Sequence, residues 1–289
     1  MGGASLLDAL STPSTLEPLP EVAALLGHPR FCEAARLYVR QTLEAFEQNP
    51  ATRQILGNSA RHVAFSLIAT FSACSEHDVD TPPLTQTRLV DTIVGMGLSS
   101  HGKIESLINR LVDQRLISRE PCADDRRAKV LRPTEALLAI DDVLCALHAR
   151  PCALLDAHPV VASVAAQERS VIRRMRAAAL PLIEGGGAML MRNPPMVPFL
   201  TADGGWLVLC ALLDAHWRDE PQAQRFEAIA RRCGVSRPHV RTLLSKALLG
   251  GMLEQSDKGM LRPSAGFTES TQVWIAECLA AFIRCCRLA

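Results

Sequence analysis

Arg237, His239, Arg241, Thr242, Ser245 and Lys246 fall on one side of a single stretch of chain. Ser100, His101, Lys103, Ser106, Asn109 and Arg110 fall on one side of another. Each set mixes cations with hydroxyl, amide and imidazole groups. Such side chains hydrogen-bond phosphate oxygens and base edges, the chemistry of a surface that reads double-stranded DNA from the major groove. No bond-making constellation accompanies them. The chain has no phosphate-cradling glycine loop, no nucleophile with a local base motif and no Cys/His spacing of a metal site. Neither an enzyme nor a cofactor or metal is expected. The eight histidines are scattered and read as ordinary surface or core residues.

An apolar stripe puts each set on one side. Ile104, Leu107, Ile108, Leu111 and Val112 recur at i, i+3, i+4, i+7 and i+8, and so do Val240, Leu243, Leu244, Ala247 and Leu248. That spacing is one buried face of a helix. Gly97-Leu98-Ser99 and Gly234-Val235-Ser236 precede the two helices. Glycine suits a tight turn, Leu98 and Val235 would plug its corner, and Ser99 and Ser236 read as N-caps. Downstream, Leu116-Ile117 and Met252-Leu253 enter a hairpin, and Leu131-Arg132-Pro133-Thr134 and Leu261-Arg262-Pro263-Ser264 leave it. The hairpin tips carry Arg126, Arg127, Lys129 and Lys258, cations placed to reach an adjacent minor groove. The whole pattern occurs twice, over residues 88–134 and 225–264. It predicts a tandem winged helix-turn-helix.

The bulk properties agree. Length alone suggests about two domains. Hydrophobic residues make up 48% of the chain and aromatics only 4%, so the cores are aliphatic and the fold class is mainly α with small β-hairpin wings. The net charge is +1, yet residues 97–132 carry +3 and residues 225–262 carry +5, leaving −7 for the rest. Positive charge gathers where DNA would lie. Ten cysteines without Cys-x-x-Cys fit buried free thiols in a cytoplasmic protein, with Cys285-Cys286 exposed near the C-terminus. No apolar run suggests a membrane span and no targeting signal is apparent.

Proline placement divides the chain into a flexible N-terminal arm (1–30), a first winged unit (31–150), a connector with a basic helix (151–198) and a second winged unit (199–289). The basic helix, over about 162–183, carries Arg169, Arg173, Arg174 and Arg176, placed either at phosphates or in water. Helices over 31–48, 134–148, 162–183 and 268–286 are expected to pack the units as a pseudo-dimer within one chain.

Leu116-Ile117-Ser118-Arg119, then Asp124-Asp125-Arg126-Arg127-Ala128-Lys129-Val130, then Thr134-Glu135 resembles the wing of the MarR family of bacterial transcription regulators. The family's Asp-x-Arg is matched by Asp125 and Arg127. The resemblance implies that Arg127 enters the minor groove and that Asp125 holds it there by a charge-assisted hydrogen bond. It also implies a regulator of transcription, and it admits a small-molecule effector and a homodimer. It covers residues 31–148. Arg132-Pro133 interrupts the family's Leu-Thr, this chain is about twice as long, and the second copy lacks Asp-x-Arg. Two other readings stay open: a plasmid replication initiator with tandem winged helices, and a tandem winged-helix protein-interaction module.

Overall fold

The computed structural model describes residues 19–49, 52–53, 56–78, 81–122, 125, 127–184, 187–256 and 259–289. Over them the protein is mainly helical, with two small antiparallel two-stranded sheets. In chain order come α1 (Pro20–Leu26), α2 (Phe31–Gln48), α3 (Ser59–His77), α4 (Gln86–Gly95) and α5 (His101–Asp113). Strands β1 (Ile117–Pro121) and β2 (Lys129–Pro133) follow, then α6 (Glu135–Cys152), α7 (Pro159–Ala165), α8 (Arg169–Ala178), α9 (Leu180–Glu184), α10 (Gly187–Arg192) and α11 (Val197–Thr201). The chain closes with α12 (Gly205–Trp217), α13 (Phe226–Cys233), α14 (Arg237–Leu249), β3 (Leu253–Gln255), β4 (Leu261–Pro263) and α15 (Ala265–Leu288).

Two expectations fail locally. Residues 20–26, placed in an irregular arm, form α1. Pro20 supplies the fixed φ of a first helical turn, and Val22 is buried as α1 packs against α15. Residues 1–18 of that arm lie outside the described residues. The basic helix is three helices, α7, α8 and α9. Gln167 takes φ +61°, and the Glu168 N–H reaches back to the Ser163 carbonyl at 3.0 Å, closing α7. Gln is a good helix former, so its type does not announce the break.

The centre is a helical layer. α2 lies along α6 and α12, α6 lies along α15, and α8 packs against α3, α6 and α15. The buried side chains form one continuous core through both halves. Three of the four arginines of the basic stretch lock this layer through carboxylates, a fate the sequence did not suggest, and Arg174 is left to water. Arg173 is buried and donates to Glu76 (2.6 and 3.1 Å), to the Ser72 hydroxyl (2.9 Å) and to the Ala69 carbonyl (3.3 Å), all on α3. Arg176 forks onto the buried Asp141 of α6, and Arg169 bridges Asp142 and Glu135. Only Arg174 of the four is exposed without such a bond among the described residues. One of these carboxylates, Asp141, is buried and needs a cation, which accounts for Arg176 without an anionic partner.

α3 and α12 begin at one point. The Gly204 N–H donates to the Gly57 carbonyl at 2.6 Å, Asn58 donates to Asp203 at 2.7 Å, and Arg61 pairs with Asp203 at 3.3 Å. Among the described residues no single helix is long and apolar enough to cross a membrane. Among the described residues no cysteine is in a disulfide, and Cys285 and Cys286 are buried rather than exposed, because α15 turns both toward the core. Burial pushes the Cys286, Cys233 and Cys278 thiols up to about 12 and raises Cys145, Cys152, Cys210 and Cys285 as well, which favours the neutral thiol over the nucleophilic thiolate.

Candidate nucleic-acid interface

The repeated motif is built twice with matching backbone bonds. In each copy a helix ends on a left-handed glycine, Gly97 (φ +70°) after α4 and Gly234 (φ +65°) after α13. The next N–H reaches back five residues: Leu98 to the Ile93 carbonyl at 3.3 Å, Val235 to Ala230 at 3.1 Å. Leu98 and Val235 then pack, partly buried, against the core. Both following helices, α5 and α14, have 13 residues. Each is closed by the same bond, from Leu116 N–H to the Leu111 carbonyl and from Met252 N–H to the Ala247 carbonyl, both 2.9 Å. The hairpins start in step. Ile117 pairs with Pro133 and Leu253 with Pro263, and Thr134 and Ser264 close back onto Leu116 and Met252 at 2.9 and 3.0 Å.

The copies differ at the turn. Ser236 is an N-cap whose hydroxyl accepts the His239 N–H at 3.3 Å. In the first copy the cap position falls on Ser100, not Ser99, and no side-chain bond is made there. One extra residue between glycine and helix moves Ser99 off the cap.

α5 buries Ile104, Leu107, Ile108 and Leu111, and α14 buries Val240, Leu243, Leu244 and Ala247. The opposite faces are open. Ser100, His101, Lys103, Ser106, Asn109 and Arg110 are exposed, as are Arg237, Arg241, Thr242, Ser245 and Lys246. His239 departs from its set: it is half-buried, and its Nε2 is buried without a partner. Asn109 accepts from Arg119, which leaves β1 to reach it, and His101 leans toward Asp91 at 3.7 Å. On the first hairpin, Arg127 and Lys129 are exposed. The Asp125 carboxylate accepts the main-chain N–H of Arg127 at 2.9 Å, so it fixes that residue through the backbone. Arg126 and Lys258 lie outside the described residues.

Sequence reasoning missed Gln224, Arg225 and Glu105. In the first copy the Leu131 N–H of β2 donates to the Leu84 carbonyl at 2.9 Å. In the second the equivalent Leu261 N–H of β4 donates to the side chain of the buried Gln224 at 3.0 Å. A side chain does there what backbone does here, and no spacing signals the exchange. Arg225 and Arg237 line one open hollow of about 530 Å³ between α14 and the β3–β4 hairpin, with Gln224, Phe226, Ser245 and Gln255. A second hollow is lined by Phe226, Arg237, Pro238 and Arg241. Arg225 stands at the head of the basic span, off the helix whose face was read. Glu105 is exposed on α5 among the expected cations.

Comparison with protein-family models, with characterised proteins and with solved structures finds no match for this chain.

Proposed function

We propose that this protein is a sequence-specific, double-stranded-DNA-binding transcriptional regulator built from two MarR-like winged helix-turn-helix units in one chain. The observation that carries the reading is the duplicated backbone scaffold, in which each copy presents an exposed polar and cationic face on its second helix, α5 or α14. Those helices would enter major grooves, and the hairpins would reach the flanking minor grooves. The contact between the beginnings of α3 and α12, with the α2, α6, α8 and α15 layer, supports a pseudo-dimer within the chain. The two faces would then meet successive turns of one duplex, about 34 Å apart. Because the faces differ, the site is expected to be two unlike half-sites.

The test is selection of bound fragments from genomic DNA with the full chain, then footprinting and anisotropy titrations of the best fragment. One enriched motif with two unequally protected arms is expected. Arg127→Ala should weaken binding at fixed salt by about 1–3 kcal/mol. No enrichment over random duplex would overturn the proposal.

A further inference from the structure

The two outer faces are unequal in charge. α14 carries Arg237, Arg241 and Lys246 and has no acidic residue along its length, and all three cations are exposed. The arginine ion pairs of this unit take Arg218, Arg232, Arg262, Arg284 and Arg287, and leave those three out among the described residues. Arg225 and Arg237 share one hollow, Arg237 and Arg241 the next, and Phe226 lies in the wall of both. Three cations thus line two adjoining hollows beside α14, with Glu227 in the wall of the first, while Lys246 lines neither and lies on the far flank of the helix.

The positions on α5 that match Arg237, Arg241 and Lys246 hold His101, Glu105 and Arg110. On that helix Glu105 and Asp113 offset Lys103 and Arg110. Of the neighbouring arginines, Arg119 is engaged on Asn109, Arg132 on Glu120 at 2.8 Å, and Arg88 lies over the Phe71 ring at 4.3 Å, while Arg115, just past α5, is exposed. Among the described residues, the first unit's exposed hairpin cations without an ion pair are Arg127 and Lys129. Each cation that neutralises a phosphate releases condensed counterions, whereas a carboxylate turned toward DNA repels the strand.

We infer that the second unit is the phosphate grip of this protein: the sugar-phosphate strand runs beside α14 over Arg225, Arg237 and Arg241. The α5 face adds contacts that depend little on salt. This rests on the DNA-binding function proposed above.

The experiment is anisotropy titration of the selected fragment across several salt concentrations, with the full chain and two matched double variants. Arg237→Ala with Arg241→Ala should flatten the plot of log affinity against log salt by about 2 and weaken binding on the order of tenfold or more. Lys103→Ala with Arg110→Ala should flatten it by less than about 1. Glu105→Arg places on α5 the cation that α14 carries at Arg241, and should steepen the slope by about 1 and tighten binding. All substituted side chains are exposed, and circular dichroism verifies that each variant is folded. Equal slope losses from the two double variants, or a larger loss from the α5 pair, would overturn the inference and leave the regulator proposal standing. A wild-type chain that binds no duplex would overturn both.

Discussion

Arg115 and Gly251 occupy the same place in the two copies, just past α5 and α14, and both are left-handed, with φ of +56° and +69°. For a residue with a Cβ that conformation costs on the order of 1 kcal/mol, which glycine escapes. Arg115→Gly is therefore expected to stabilise the protein by up to about 1 kcal/mol, less whatever glycine loses to unfolded-chain entropy. Gly251→Ala should destabilise it by about 1 kcal/mol, although an added Cβ meets nothing within 4 Å. Denaturant midpoints with unchanged slopes would show both. Shifts of the same sign would refute the equivalence of the two positions. This equivalence is hidden in the residue types, since arginine does not announce a left-handed turn. It was legible only in the flanking Leu116-Ile117 and Met252-Leu253.

α8 shows how an element's composition can point to the wrong partner. Four arginines in eight residues look like a cationic surface, but three of them are consumed by carboxylates on α3 and α6. Asp141 is 1% exposed and lies under Arg176. Removing one member of such a pair strands the other in a low-dielectric interior, so Asp141→Ala should destabilise by about 3–5 kcal/mol. Glu135→Ala, which breaks an exposed pair with Arg169, should cost no more than about 1 kcal/mol. Chemical denaturation of the two variants tests the contrast. Similar losses would mean that α8 is not held by its buried pair.

At the scale of the molecule the halves meet around Tyr38, His148, Trp206 and Phe282. His148 stacks on Phe282 with ring centroids 5.5 Å apart, and Tyr38 lies 5.2 Å from His148 and 6.3 Å from Trp206. The His148 Nδ1–H donates to the Leu144 carbonyl at 2.8 Å, which leaves Nε2 to accept from the Tyr38 hydroxyl at 3.2 Å. Burial pushes this imidazole down from 6.5 to about 4. The Leu144 carbonyl opposes the shift, and the nearby Arg176 and Asp141 act in opposite directions. Between those values the unfolded chain binds more protons than the folded one, so stability is full above about 6.5 and falls as the pH drops toward about 4. Glu76, held below the usual carboxylate range by the Arg173 guanidinium, adds its own loss at still lower pH. His148→Gln should flatten the stability profile between pH 6.5 and 4, read from denaturant midpoints across that range. An unchanged slope would place the titration elsewhere.

Read alone, the sequence determined where α2 begins and ends, the apolar faces of α5 and α14, the two hairpins and the left-handed glycines between the paired helices. All of these follow from local rules: period, turn chemistry and the steric demands of one residue. The tertiary structure alone decided the rest. It docked α1 on α15, split the basic stretch into α7, α8 and α9, and turned Arg173 and Arg176 inward. It also buried Cys286, moved the cap from Ser99 to Ser100, and let Gln224 replace a backbone carbonyl. Each of those outcomes depends on which distant carboxylate, N–H or apolar face arrives opposite, and spacing along the chain carries no record of what lies across from it.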